Sequence, residues 1–272
     1  EFITKSVPSS FFLEKNTHAG LLNLTAQPTA AWFIISVKKR KKNLSIFLGT
    51  ALFILFFAIF LTASRGAAIL LLFGLFFIVL ISLKYIEKSF LLRVFVILII
   101  AFLFADYETT DREHNIIERL HKLPDRKHLY DTRLVIWEAG WQIIKTAPII
   151  GTGIGTFFIV SPAVRHPADG SSGNYLHNDY LQFWLETGFI GLSIIMLIMA
   201  AVFILFVRVF RHKNLTLYNR LEVIGLIAGL VAIATHSFID FHFYIVAILM
   251  VMGFICARIQ EISENYFSGL IR

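Results

Sequence analysis

The stretch LSIFLGTALFILFFAIFLTA, residues 44–63, decides the fold class on its own. It carries no charge, and its length matches the roughly 20 residues a helix needs to cross a bilayer. Similar segments occur at residues 19–37, 67–83, 90–105, 188–207, 221–237 and 243–259. The first is the weakest, because Asn23, Thr25, Gln27 and Pro28 interrupt it. Backbone groups in hydrocarbon must be satisfied within the segment or in a closed barrel. No alternating runs of about ten residues suited to a barrel are present, so these segments read as helices. The expected fold class is all-α, a polytopic transmembrane helical bundle of about seven spans.

Composition agrees. Of 272 residues, 57% are hydrophobic and 16% charged, and 28 are Phe; the mean hydropathy is +0.73. Soluble domains are about one-quarter charged and under half apolar, so this chain has too little polar surface to be one. The single Cys256 excludes an internal disulfide and a thiolate metal cage. The chain begins at Glu1 rather than Met, with no basic segment leading into an apolar core. It therefore reads as a piece of a longer protein, without a recognisable signal peptide. The net charge of +7 sits mostly in short loops between apolar runs. Topology explains it, and no nucleic-acid partner is expected.

Those basic loops orient the spans. Lys38-Lys39-Arg40-Lys41-Lys42, then Lys84, Lys88 and Arg93, then Arg208, Arg211, Lys213 and Arg220 alternate with loops nearly free of cations. The positive-inside rule makes them cytoplasmic, which puts the N-terminus of this chain outside and its C-terminus inside. Three regions follow: residues 1–105 and 188–272 as transmembrane helices, and 106–187 as an extracytoplasmic subdomain. Within that subdomain residues 131–147 read as an amphipathic helix, with Leu134, Trp137, Trp141 and Ile144 on one face and Glu138, Gln142 and Lys145 on the other. Asp131 or Thr132 is its expected cap, and Pro148 followed by Gly151 its end.

A few residues could carry chemistry. Arg65 stands at the outer end of two apolar spans, where a cation is disfavoured. It either snorkels to lipid headgroups or binds an anion. Arg133 falls in the first turn of the loop helix, where a cation opposes the macrodipole unless an anion shares the site. Local pairing with Asp131 or Asp125 is the other reading. His177, in Asn174-Tyr175-Leu176-His177-Asn178-Asp179-Tyr180, is either structural or a general base, since histidine alone among side chains ordinarily titrates near neutrality. His236 and Asp240 share an outer turn and either pair with one another or cap helix ends. The run Gly151-Thr152-Gly153-Ile154-Gly155 lacks the strand context and terminal Lys of a phosphate loop and reads as a turn. No spacing suggests zinc, and no cofactor or metal is expected.

In order along the chain, several motifs resemble one family. They are Ser64-Arg65-Gly66-Ala67; Arg133 with Trp137-Glu138-Ala139; Pro148 through Gly151, Gly153 and Gly155 to Phe157; His177-Asn178-Asp179-Tyr180-Leu181; Glu186-Thr187-Gly188-Phe189-Ile190-Gly191; and His236-Ser237-Phe238-Ile239-Asp240-Phe241. The upstream Asn16-Thr17-His18-Ala19-Gly20 segment matches as well. The pattern resembles the O-antigen ligase/polymerase superfamily over essentially the whole chain. The resemblance implies a glycosyltransferase of the bacterial inner membrane that takes glycan from an undecaprenyl-pyrophosphate donor, without metal. The acceptor would be a lipid, glycan or protein hydroxyl. By the same resemblance Arg65 and Arg133 bind the pyrophosphate, His177 activates the acceptor, and Asn178, His236 and Asp240 support the site. Family members have more spans than seven, so several N-terminal spans are expected to be missing here. A membrane transporter or an envelope-assembly scaffold is the alternative. A transporter, however, would carry ionisable groups at mid-bilayer, whereas here polar residues collect on one side.

Overall fold

The computed structural model describes residues 14–83, 88–109, 132–164 and 173–267. Among the described residues the chain is helical, with no strand. The helices are α1 (Lys15–Lys38), α2 (Lys42–Leu61), α3 (Arg65–Ser82), α4 (Lys88–Thr109), α5 (Thr132–Ile144), the single turn α6 (Phe157–Val160), α7 (Asp179–Phe210), α8 (Leu217–His236) and α9 (Val246–Phe267). A short 3-10 turn, Ser161–Ala163, follows α6. Each of the seven sequence-predicted segments falls on a helix. Five helices (α2, α3, α7, α8 and α9) are long and apolar enough to cross a membrane. The chain is an all-α polytopic membrane bundle.

Two compact units divide it: residues 1–123, 205–234 and 250–272 in one, and 124–204 with 235–249 in the other. In the first unit, α1 shows why its polar interruptions do not prevent it from being a buried helix. Asn23 Nδ2 donates to the carbonyl of Ala67 at 2.7 Å and Gln27 Nε2 to that of Leu71 at 3.2 Å, both in α3. With their amide N–H groups donating across the helix pair, the buried Asn23 and Gln27 bind two helices together. Pro28 has no amide hydrogen, which removes the partner of the Leu24 carbonyl one turn back. Gly229 of α8 lies against that carbonyl, and a Cβ there would come within 2.7 Å of it. Near the opposite end of α8, the buried Glu222 takes a two-pronged contact from Arg258 of α9, at 2.6 and 3.1 Å. Phe60 meets Phe102 edge-on at 5.3 Å, packing α2 on α4. Phe73, Phe76 and Phe77 of α3 and Leu92, Phe95 and Ile99 of α4 remain exposed, as lipid-facing side chains would be.

In the second unit, α5 corrects one expectation. The helix starts at Thr132 and ends at Ile144, short of Pro148. Its buried face runs through Ile136, Ala139, Ile143 and Ile144, whereas Leu134 and Trp141 are 52% and 42% exposed. Of the face expected from sequence, Ile144 is buried and Trp137 packs against the buried cluster, while Leu134 and Trp141 stand off it. Trp137 also uses its polar edge, donating from Nε1 to the Leu176 carbonyl at 3.0 Å. Trp141 meets Trp184 edge-on at 5.4 Å. Indoles favour this half-buried placement because one edge needs a hydrogen-bond partner. Thr132 is the first helical residue described. The other proposed cap, Asp131, lies outside the described residues, as does Asp125.

The glycine run 151–155 is a turn, as expected, and it has a definite task. Helix α7 breaks at Gly188, where φ is 66° and ψ −173°, a region open essentially to glycine alone. The break frees the carbonyls of Leu185 and Glu186. Thr152 N–H donates to the first at 2.9 Å and Gly153 N–H to the second at 2.8 Å. On the far side of the break, Phe189 N–H donates to Pro148 at 2.9 Å. A Cβ on Gly188 would collide with the Ile149 carbonyl. The loop therefore plugs the break with backbone alone. The predicted fifth span began at residue 188, and α7 starts nine residues earlier, so its first turns belong to the polar site.

Candidate active site

His177 sits two residues before the helical start of α7, with φ at 51°. A left-handed conformation is uncommon for a residue with a side chain and costs about 1–3 kcal/mol where the surroundings enforce it. Bonds on both sides enforce it here. Before it, Leu176 is fully buried; its carbonyl accepts from Trp137 Nε1, and its N–H donates to Gln182 Oε1 at 2.9 Å. After it, Asn178 Oδ1 accepts the Leu181 N–H at 3.1 Å, an N-cap that starts α7. Asp179 N–H donates to the carbonyls of Ser237 and Asp240, at 2.9 and 3.2 Å.

Asp179 also holds the segment that follows α8. Its Oδ2 accepts N–H bonds from His242 at 2.8 Å and Phe243 at 3.0 Å. One turn on, Gln182 Nε2 donates to Glu186 Oε1 at 3.1 Å. Glu186 Oε2 in turn accepts the Gly155 N–H at 2.8 Å and the Tyr244 hydroxyl at 2.9 Å. Burial and the Glu186 carboxylate raise the Tyr244 phenol far above its ordinary range, so it stays a donor. Asp179, Gln182 and Glu186 thus tie three loops to one face of α7. Asp179 and Glu186 stand in motifs quoted from sequence, but none of the three was singled out as a site residue; their spacing of three and four residues inside an otherwise apolar helix is the signal that would have found them.

The segment held this way presents Asp240, whose side chain is only 1% exposed. Its Oδ1 lies 3.5 Å from His177 Nδ1 and accepts the Phe241 N–H at 3.0 Å. Its Oδ2 lies 4.0 Å from Arg133 Nη2. One buried carboxylate therefore faces an imidazole and a guanidinium together, at ion-pair rather than short hydrogen-bond distances. Burial works against the ionised form of Asp240. The attraction of His177, together with the fields of His242 and His236, outweighs it and holds the carboxyl below the usual carboxylate range. Phe241 packs edge-on against His177 at 5.1 Å and stacks on Tyr175 at 4.0 Å, which fixes the plane of the imidazole.

The sequence-predicted residues are thus partly gathered. His177, Asn178, Arg133 and Asp240 come together, while Asp131 and Asp125, the partners considered for Arg133 from sequence, lie outside the described residues. Asp240 faces His177, while the buried His236 places its ring 4.5 Å from that of His242. Arg65 belongs to the other unit. It is exposed in the first turn of α3, one residue after Ser64, whose Oγ accepts the Ala67 N–H at 3.4 Å. No acidic residue shares the first turn of either α3 or α5, so Arg65 and Arg133 each stand at the positive end of a helix, where a bound anion would be favoured.

A family model described as O-antigen ligase matches residues 50–196. The match runs from within α2 past the Gly188 break and includes Arg65, Arg133, His177 and Asn178. No curated protein matches the chain. A model covering more than half of the sequence, laid over spans that make a multi-pass membrane protein, supports a ligase/polymerase-like function in general, and the chain belongs to the O-antigen ligase family.

Proposed function

We propose that this protein transfers a glycan from an undecaprenyl-pyrophosphate donor to an acceptor hydroxyl, at the outer face of the bacterial inner membrane. The observation that carries the reading is the buried Asp240 carboxylate shared between His177 and Arg133. His177 acts as general base. With Nδ1 turned to Asp240, Nε2 is the nitrogen that takes the acceptor proton. The acceptor oxygen then forms its bond to the anomeric carbon as the bond from that carbon to the pyrophosphate breaks, which inverts the centre. The proton ends on His177 as an imidazolium, and Asp240 stabilises that charge. Arg133 balances the negative charge gathering on the leaving pyrophosphate, the place where electrostatic stabilisation gives most. Family resemblance alone assigns Arg65 to the same role.

This chemistry is metal-independent, since guanidinium charge does the work of a cation. The basic loops at 38–42, 84–93 and 208–220 support a cytoplasmic location for that end of the bundle, with residues 106–187 outside. The test is transfer from lipid-linked glycan in membranes holding the full-length protein. His177→Gln is expected to lose about 10²–10⁴-fold, because an amide hydrogen-bonds without accepting the proton. Donor binding survives, and a chelator leaves the wild-type rate unchanged. Wild-type transfer by His177→Gln would remove His177 from the chemistry.

A further inference from the structure

The basic run Lys38-Lys39-Arg40-Lys41-Lys42 satisfies the orientation rule however its side chains turn, so their actual disposition carries separate information. They do not turn alike. Lys39 places its ammonium 4.2 Å over the ring of Tyr218. Arg40 and Lys42 instead line a cleft of about 390 Å³ together with Arg93, which arrives from α4. Ser45 completes its polar side, and Phe33 and Ile46 form an apolar wall.

The turn that presents Arg40 is built, not loose. Arg40 has φ at 54°, a left-handed conformation where Gly or Asn would be the easy choice. Arg40 N–H donates to Val37 at 2.9 Å and Lys41 N–H to Ser36 at 3.0 Å, closing the end of α1. The buried Ser36 hydroxyl meets that of Ser45 at 3.0 Å and locks α1 to α2. Three cations from two helices and the turn between α1 and α2 thus line one cleft, and an anion bound there would lower their mutual repulsion. The first turn of α2 holds no acidic residue, so its positive end adds to the same field.

We infer that this cleft binds the phosphodiester headgroup of an anionic membrane lipid. The cations match the phosphate, and Phe33 and Ile46 match the first methylenes of the acyl chains. The site lies where spanning helices end and headgroups begin. A free phosphate would use the cations but leave the apolar wall without an occupant. The inference stands apart from the proposed reaction, since it uses none of its residues.

Native mass spectrometry of the full chain in detergent, titrated with phosphatidylglycerol or phosphatidylcholine, tests it. The wild type should retain phosphatidylglycerol preferentially. Arg40→Ala with Arg93→Ala should lower that retention by about 10–30-fold and leave phosphatidylcholine unchanged. Arg40→Lys with Arg93→Lys should keep most of it, while Arg208→Ala with Lys213→Ala, in another basic loop, should change nothing. If the double alanine variant fails to fold, Arg93→Ala alone, on an exposed side chain of α4, should still cost several-fold. Three results would each overturn the inference: no preference in the wild type, an equal loss in the Arg208/Lys213 variant, or displacement of the lipid by an equal concentration of inorganic phosphate.

Discussion

Replacing Asp240 with Asn removes one charge and little else. The amide has nearly the same volume, and its carbonyl oxygen can still accept the Phe241 N–H that Asp240 Oδ1 takes at 3.0 Å. What disappears is the carboxylate 3.5 Å from His177 Nδ1. Two unit charges about 4 Å apart attract by about 4 kcal/mol at an effective dielectric of 20. Part of that is already spent on Arg133, 4.0 Å from the other oxygen. About 2–4 kcal/mol of imidazolium stabilisation would then be lost, or roughly 30–1,000-fold in rate. The pH dependence has a definite sign. Asp240 is held below the ordinary carboxylate range, so the wild type keeps this charge throughout the neutral and mildly acidic range. The charge that Asp240→Asn removes is therefore present in the wild type throughout that range, and the two proteins should match at this position only as pH falls through the depressed value, where wild-type Asp240 becomes neutral too. The assay is transfer from lipid-linked glycan at saturating donor, with donor binding measured separately. A variant with wild-type turnover would refute the role given to Asp240, and one that lost donor binding alone would move that role from His177 to Arg133.

Arg133→Lys should rescue poorly, because an ammonium cannot offer the guanidinium fork to a pyrophosphate while it faces Asp240; near-normal transfer would mark Arg133 as a structural partner of Asp240, and the same comparison at Arg65 tests its assignment separately. Gly188→Ala should destabilise the protein by about 2–4 kcal/mol, from backbone strain and the bonds lost where the 148–153 loop plugs the break in α7; an unchanged melting temperature would show that the break does not need glycine. For topology, with Cys256 replaced, a cysteine at the exposed Ile154 should be labelled by an impermeant reagent in intact cells, and one at Lys41 only after lysis. The reverse pattern would sink the orientation and the outer-face reaction together.

Sequence alone determined the class of the molecule. Twenty-residue apolar runs leave a chain no folded form in hydrocarbon but the helix, and that constraint is local enough to read from residues 44–63 without any contact map. The cations that mark the loops and the turn at residues 151–155 were legible for the same cause, and so were His177 and Arg133 as candidates with a structural reading beside the chemical one: each breaks a local rule. What no local rule contains is partnership. Asn23 and Gln27 looked like flaws in a span until α3 supplied carbonyls 44 residues away. Trp141 looked like core until Trp184 met it outside the buried face. Asp240 stands near His236 in sequence; packing also brings its carboxylate to His177 and Arg133, 63 and 107 residues distant in sequence, because Asp179 anchors the segment that follows α8. Helix formation depends on the nearest few residues, whereas the position of a buried charge depends on whichever distant groups the fold brings within a few ångströms of it.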